Sequence, residues 1–177
     1  TYKEGCREFV WQGKGKTTAA IGQAMRAVGN GSRVLMVELV KGPWKSGEDT
    51  SSKKVSKSFQ IIKKGLGFVR IGNDQIPFEK HIEAAREALA YSFSELKTGK
   101  WNILILDEIW VALSLSLLNS SEVNNFIKSA TPLCDHLIMT GRGCPMKFID
   151  QADLVTEMKE VKHPFNSGIM GKVGVEY

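Results

Sequence analysis

The chain has 177 residues, 42% of them apolar and 24% charged, with a formal charge of +5. That composition suits a single globular domain with a sizeable core, spanning residues 1–177. No apolar run approaches the roughly 20 residues of a membrane span, and no signal peptide precedes the first apolar segment, so a cytoplasmic protein independent of membranes is expected.

The mild positive charge permits a polyanionic ligand without choosing between a nucleotide and a nucleic acid. Lys53, Lys54, Lys57, Lys63 and Lys64 cluster in one region. No aromatic residues alternate with them as a single-strand stacking platform requires, so they read as a solvated surface and no nucleic-acid partner is expected. Cys6, Cys134 and Cys144 are odd in number and form no C-x-x-C pair, which fits free thiols in a reducing compartment. The three histidines are equally scattered, so no zinc site is expected.

In chain order, Arg7–Trp11 reads as a short first strand. The helix after it places Ile21, Met25 and Val28 on one face, and Gly29-Asn30-Gly31 stops it. Arg33–Leu39 is a near-continuous apolar run, as a strand buried on both faces should be. From Val40 to Lys57 the chain is polar and reads as a long irregular segment, a feature that is commonly functional. Phe59–Lys63 suits a further strand.

Pro77 opens a long helix with Ile82, Ala85, Leu89, Phe93 and Leu96 as its apolar stripe. Trp101–Glu108 is a buried strand ending in two carboxylates. Helix follows through Leu118 and again from Glu122 to about Ala130. His136–Thr140 is the next strand, Pro145–Asp150 starts a short helix, and Asp153–Met158 is another strand. A last strand is expected near Val173–Glu176. Alternation of this kind defines an α/β fold with a mostly parallel sheet flanked by helices, and ligands bind at the carboxyl ends of such strands.

Gly13, Lys14, Gly15, Lys16, Thr17 and Thr18 lie between the first strand and its helix. Glycines let backbone N–H groups curl around phosphate oxygens, and the helix N-terminus adds roughly half a positive charge facing the anion. Lys16 would reach the terminal phosphates, and the Thr17 hydroxyl would bind Mg²⁺. Asp107 and Glu108 end a buried strand, where a carboxylate of a phosphate-loop (P-loop) protein holds Mg²⁺. A cap on the following helix is the other reading of these two acids. The common loop, G-x-x-x-x-G-K-[ST], would need glycine where Val10 stands.

The chain resembles the P-loop type of ATP:corrinoid adenosyltransferase. That family carries a loop one residue shorter, G-N-G-K-G-K-T-T, which "WQGKGKTT" (Trp11–Thr18) matches, with Gln12 in place of the asparagine. "ELVKG" (Glu38–Gly42), "GLGF" (Gly65–Phe68), "LDEI" (Leu106–Ile109), "TGRGCP" (Thr140–Pro145), "ADLVTEM" (Ala152–Met158), "KHPF" (Lys162–Phe165) and "GVEY" (Gly174–Tyr177) follow in family order. The resemblance implies transfer of the 5′-deoxyadenosyl group of ATP to Co(I) of a corrinoid, with tripolyphosphate leaving. It implies ATP and corrinoid as substrates, Mg²⁺, a homodimer, and a flavoprotein or similar electron donor.

The resemblance also implies site roles. Lys16, Thr17, Glu108 and Arg142 would serve the leaving group, Lys41 the phosphates or ribose, and Phe68 the corrinoid. Thr17, Asp107 and Glu108 would hold the metal. The bland alternative for Arg142 is a salt bridge at the sheet edge. Several positions depart from the family pattern: Trp11 replaces a glycine, Glu38 a glutamine and Arg70 a tryptophan, while Trp110 and Ser116 stand where a small polar residue and a glycine are common. These mark a divergent member. A P-loop ATPase or kinase and a non-catalytic ATP- or corrinoid-binding module are the competing readings.

Overall fold

Six strands form one sheet in the computed structural model, which describes residues 5–72, 74–168, 170, 172 and 174. The strands are β1 (Cys6–Gln12), β2 (Val34–Glu38), β3 (Phe59–Lys63), β4 (Ile103–Asp107), β5 (His136–Gly141) and β6 (Leu154–Met158). They lie in the order β3-β2-β4-β5-β1-β6, and every neighbouring pair is parallel. The strand expected near Val173–Glu176 lies, apart from Gly174, outside the described residues.

The helices are α1 (Lys16–Gly29), α2 (Gly47–Val55), α3 (Phe78–Lys97), α4 (Ile109–Ser114), α5 (Ser120–Ala130) and α6 (Met146–Ile149). Alternate residues of each strand point to opposite faces. One face buries Val34, Met36, Ile103, Ile105 and Ile138 against Ala20 and Ala24 of α1. The other buries Leu35, Val37, Leu104, Leu106, Leu137 and Met139 against Ala85 and Leu89 of α3, Trp110 of α4 and Ile127 of α5. Burial on both faces explains why β2 and β4 are apolar throughout until a carboxylate ends each.

Trp110 fills the space between Phe9 and Phe148, with ring centroids 4.9 and 5.2 Å away. A large ring at that position is therefore a core residue. Ser116, where the family pattern has glycine, sits at φ 60°, the left-handed conformation that glycine adopts without strain.

Three expectations change. Met25 is 44% exposed, because small alanines, Ala20 and Ala24, carry the contact of α1 and let it lie close to the sheet. The helix expected through Leu118 ends at Ser114. The polar segment from Val40 to Lys57 contains α2, which sits against β3 and starts with a capping box: Ser46 and Asp49 cap each other's backbone N–H groups.

Candidate functional site

The carboxyl ends of β1, β2, β4 and β5 converge on one side of the sheet, and the loop from Gly13 to Gly15 wraps over them. Met158 of β6 crowds this loop: a Cβ at Gly13 would collide with its backbone carbonyl, and one at Gly15 would approach its Cε to 2.8 Å. Gly15 also caps α1 at φ 97°. A glycine loop is thus required here by space and by backbone conformation.

Trp11 is an ordinary strand residue, paired with Gly141 on one side and Glu157 on the other. The unusual conformation falls on the next residue, Gln12, at φ 69°. The Trp11 anomaly of the sequence is therefore not a defect in the loop, because the indole packs against the core.

A cavity of about 650 Å³ opens over the loop, lined by Gly13, Lys14, Gly15, Lys16, Thr17, Thr18, Lys41, Glu48, Glu108 and Arg142. His163, from the K-H-P-F motif, also reaches it. Lys16 is 6% exposed; its Nζ donates to the Gly13 carbonyl at 2.9 Å and lies 3.7 Å from Glu108 Oε1. The Thr17 hydroxyl meets both oxygens of the fully buried Asp107, at 3.0 and 3.1 Å. Thr140 Oγ1 donates to Asp107 Oδ1 at 2.6 Å and accepts from the Glu108 N–H at 3.0 Å.

Glu108 occupies the N-cap position of α4, in the left-handed region at φ 62°, yet its side chain makes no cap hydrogen bond. It turns to the loop instead, and among the described residues its Oε2 is buried without a hydrogen-bond partner. Burial and the neighbouring Asp107 charge hold the Glu108 carboxyl above the usual range, against the pull of Lys16, Lys41 and Arg142. Arg142 itself is exposed at the cavity mouth.

Lys41 stands among three carboxylates: Glu38 at 2.8 Å, Glu48 at 3.1 Å and Asp107 at 3.6 Å. Burial alone would pull its ammonium down, but the Asp107 and Glu38 charges hold it above the ordinary lysine range. Glu38 is fully buried, and burial raises its carboxyl despite Lys41 and Lys63. The ladder places Lys63, Glu38 and Asp107 in one row across three strands. Lys63 is therefore not part of a solvated lysine patch: it bonds Asp49 at 2.6 Å and the Trp44 carbonyl at 2.6 Å. Lys53, Lys54 and Lys57 remain exposed, as expected.

Lys41 and Glu48 also line a second cavity of about 350 Å³, with Val40, Trp44 and Phe68. Phe68 is 66% exposed and packs against Trp44 in a tilted arrangement, with ring centroids 5.7 Å apart. The same two rings border a third cavity, with Leu66, Ile71 and Ile76. Arg70 does not join them. It sits at φ 56°, its backbone N–H donates to Asp74, and its guanidinium lies 3.7 Å over the Phe78 ring. Of the expected site residues, Gly13–Thr18, Lys41, Glu108 and Arg142 share one cavity, Asp107 lies under Thr17, and Phe68 borders the neighbouring apolar space, while Gln12 is not among the cavity's lining residues. Glu48 and Trp44 join the site from the α2 region, a mostly polar stretch whose Gly47-Glu48 pair resembles the family's loop.

Fold and site define a nucleotide-binding P-loop α/β protein. Two solved structures share the fold: the flagellar accessory protein FlaH of Methanocaldococcus jannaschii (TM-score 0.60, 14% identity, 90% of this chain and 74% of that one) and the type III secretion ATPase EscN of enteropathogenic E. coli, solved with its stalk EscO (TM-score 0.53, 13% identity, 90% and 43%). The family model for ATP:corrinoid adenosyltransferase BtuR/CobO/CobP matches residues 9–177. Corrinoid adenosyltransferases of Escherichia coli K12 and Salmonella typhimurium are 33% and 32% identical, each over 96% of this chain and 83% of the relative. That of Pseudomonas aeruginosa is 34% identical over 93% and 79%. The chain belongs to the ATP:corrinoid adenosyltransferase family, enzymes of ATP-dependent adenosyl transfer to a corrinoid.

Proposed function

We propose that the cavity over Gly13–Thr18 holds the triphosphate of ATP, and that Co(I) of a corrinoid attacks C5′ from the Trp44–Phe68 side. The observation that carries this reading is the adjacency of two unlike cavities, one polar and cationic, one apolar, joined at Lys41 and Glu48. The Co–C bond forms as the C5′–O bond breaks, and the electron pair leaves on tripolyphosphate. Co(I) is itself a strong nucleophile, so the protein needs no general base. Its work is alignment and electrostatic support of the leaving group. The loop N–H groups and Lys16 receive the phosphates, Arg142 closes on them from the mouth, and Lys41 is aimed by its three carboxylates. Gln12, at the turn into the loop, sets its backbone direction.

The residues present fit a divalent cation. Among the described residues Glu108 Oε2 is a buried acceptor without a hydrogen-bond donor, and Asp107 lies with both oxygens beside the Thr17 hydroxyl. Thr17, Asp107 and Glu108 would hold Mg²⁺, which when bound would offset negative charge on the triphosphate. The cap reading of Glu108 is disfavoured by its missing cap hydrogen bond.

The substrate chemistry requires an electron donor to make Co(I), and a flavoprotein or similar reductase is the partner we assign. A homodimer and a cytoplasmic setting complete the proposal; three free cysteines accord with the latter. Among the described residues no helix is long and apolar enough to cross a membrane. Separating the phosphate products tests the reading: tripolyphosphate marks attack at C5′, whereas ADP marks attack at the γ-phosphorus and would overturn it.

A further inference from the structure

Cys6, Glu8 and His136 are dispersed in sequence, but strand register brings them together. Cys6 and Glu8 alternate along β1 and so share a face, and the ladder pairs Cys6 with His136, the first residue of β5. The thiol, a carboxylate oxygen and an imidazole nitrogen lie within 4.8 Å of one another. They sit at the amino ends of the strands, roughly 20 Å along β1 from the phosphate loop. The nucleotide chemistry makes no use of them.

We propose that Cys6, Glu8 and His136 form a site for a transition-metal dication of the zinc class. One thiolate, one imidazole and one carboxylate make a mixed donor set that suits Zn²⁺ and not the all-oxygen preference of Mg²⁺ or Ca²⁺. In a tetrahedral site with bonds of ~2.0–2.3 Å, donor atoms stand roughly 3.3–3.7 Å apart. Glu8 Oε1 and His136 Nδ1 are 3.2 Å apart already, and the thiol lies within reach of side-chain rotation. Cys6 is 2% exposed and Glu8 9%, so two of the three donors are shielded from bulk water. Both strands are fixed by ladder bonds, and the donors are therefore presented on rigid backbone. Three protein ligands leave a fourth position for water. Binding displaces the thiol proton, because the ligand is the thiolate. The ion would clasp β1 to β5 at the base of the sheet and stabilise the native state by mass action.

Co²⁺ titration of chelator-stripped protein, without nucleotide or corrinoid, tests the site. One equivalent should produce a near-ultraviolet thiolate-to-Co²⁺ charge-transfer band, and one equivalent of Zn²⁺ should abolish it. Cys6→Ser should lack the band, His136→Ala should bind Co²⁺ at least about tenfold more weakly, and Lys16→Ala should titrate like the parent. Cys134 and Cys144 are buried thiols pushed up to about 12 by that burial, and supply the internal control. A parent protein without the band would overturn the site, as would a full band in Cys6→Ser or an undiminished affinity in His136→Ala. Should Cys6→Ser fail to fold, Glu8→Gln and His136→Ala carry the same test.

Discussion

Thr17 and Asp107 are separated by 90 residues, yet the Thr17 hydroxyl lies 3.0 Å from one Asp107 oxygen and 3.1 Å from the other. This contact ties the first turn of α1 to the end of β4. It sets the phosphate loop directly over a fully buried carboxylate, which Thr140 and Lys41 also face.

Asp107→Asn should keep the fold's hydrogen bonds to Thr17 and Thr140 in part but remove the charge. The expected outcome is adenosyl transfer reduced at least about a hundredfold, equal to roughly 2.7 kcal/mol of barrier, with weakened dependence on Mg²⁺. Initial rates across an Mg²⁺ titration check it, and an unchanged Mg²⁺ dependence would remove Asp107 from the metal site.

Lys16→Ala removes the buried cation that faces both the loop and Glu108. Turnover should fall at least about a hundredfold, the scale on which positioned electrostatic groups act. Single-turnover rates at saturating ATP separate this from a loss of binding. A variant of full rate would contradict support of the leaving group by Lys16.

Phe68→Ala should raise the KM for corrinoid about ten- to a hundredfold, the transfer free energy of one aromatic face, while ATP affinity and thermal stability stay near those of the parent. Phe68 is exposed, so it has little folding energy to lose. Equal effects on ATP and corrinoid would show that the two cavities are not separate subsites.

Glu38 gives a pH prediction. Burial raises its carboxyl above the ordinary 4.5 despite Lys41, and Asp107 adds to the rise. The native chain therefore binds this proton more tightly than the unfolded one. The Glu38 contribution is fully present below about pH 4.5 and declines as pH rises through that value toward the raised one. Glu38→Gln abolishes the titration, so its melting temperature relative to the parent should increase from about pH 4 to about pH 8. Glu48 and Asp49 are held low by their lysine and backbone partners despite burial and slope the other way. They are present in both proteins, so most of their slope cancels in the comparison, although they share Lys41 and Lys63 with Glu38. A constant difference across that range would contradict the assignment.

How much of this was legible follows from where the information lies. Val34–Glu38 and Ile103–Asp107 announce themselves because burial on both faces leaves only apolar residues until the terminal carboxylate. The loop is legible because glycine, lysine and threonine are needed at fixed offsets. α2 was missed because it has almost no apolar face; its one signal was the Ser46-Gly47-Glu48-Asp49 capping box. Trp11 looked misplaced because the sequence does not say that the left-handed residue is Gln12. The Lys63–Glu38–Asp107 row and the Cys6–Glu8–His136 group depend on strand order and register, which single segments do not encode. Arg70 faces Phe78 and not Phe68 because its own backbone conformation turns it away.

The proposed function requires one site that brings C5′ of ATP to cobalt. An anaerobic reaction of the protein with ATP, Mg²⁺ and chemically reduced cobalamin, followed by the visible spectrum and by phosphate analysis, tests it most directly. An adenosylated corrinoid and tripolyphosphate are expected in equal amounts. ADP and phosphate in their place, or no adenosylated corrinoid with Co(I) supplied in excess, would contradict it.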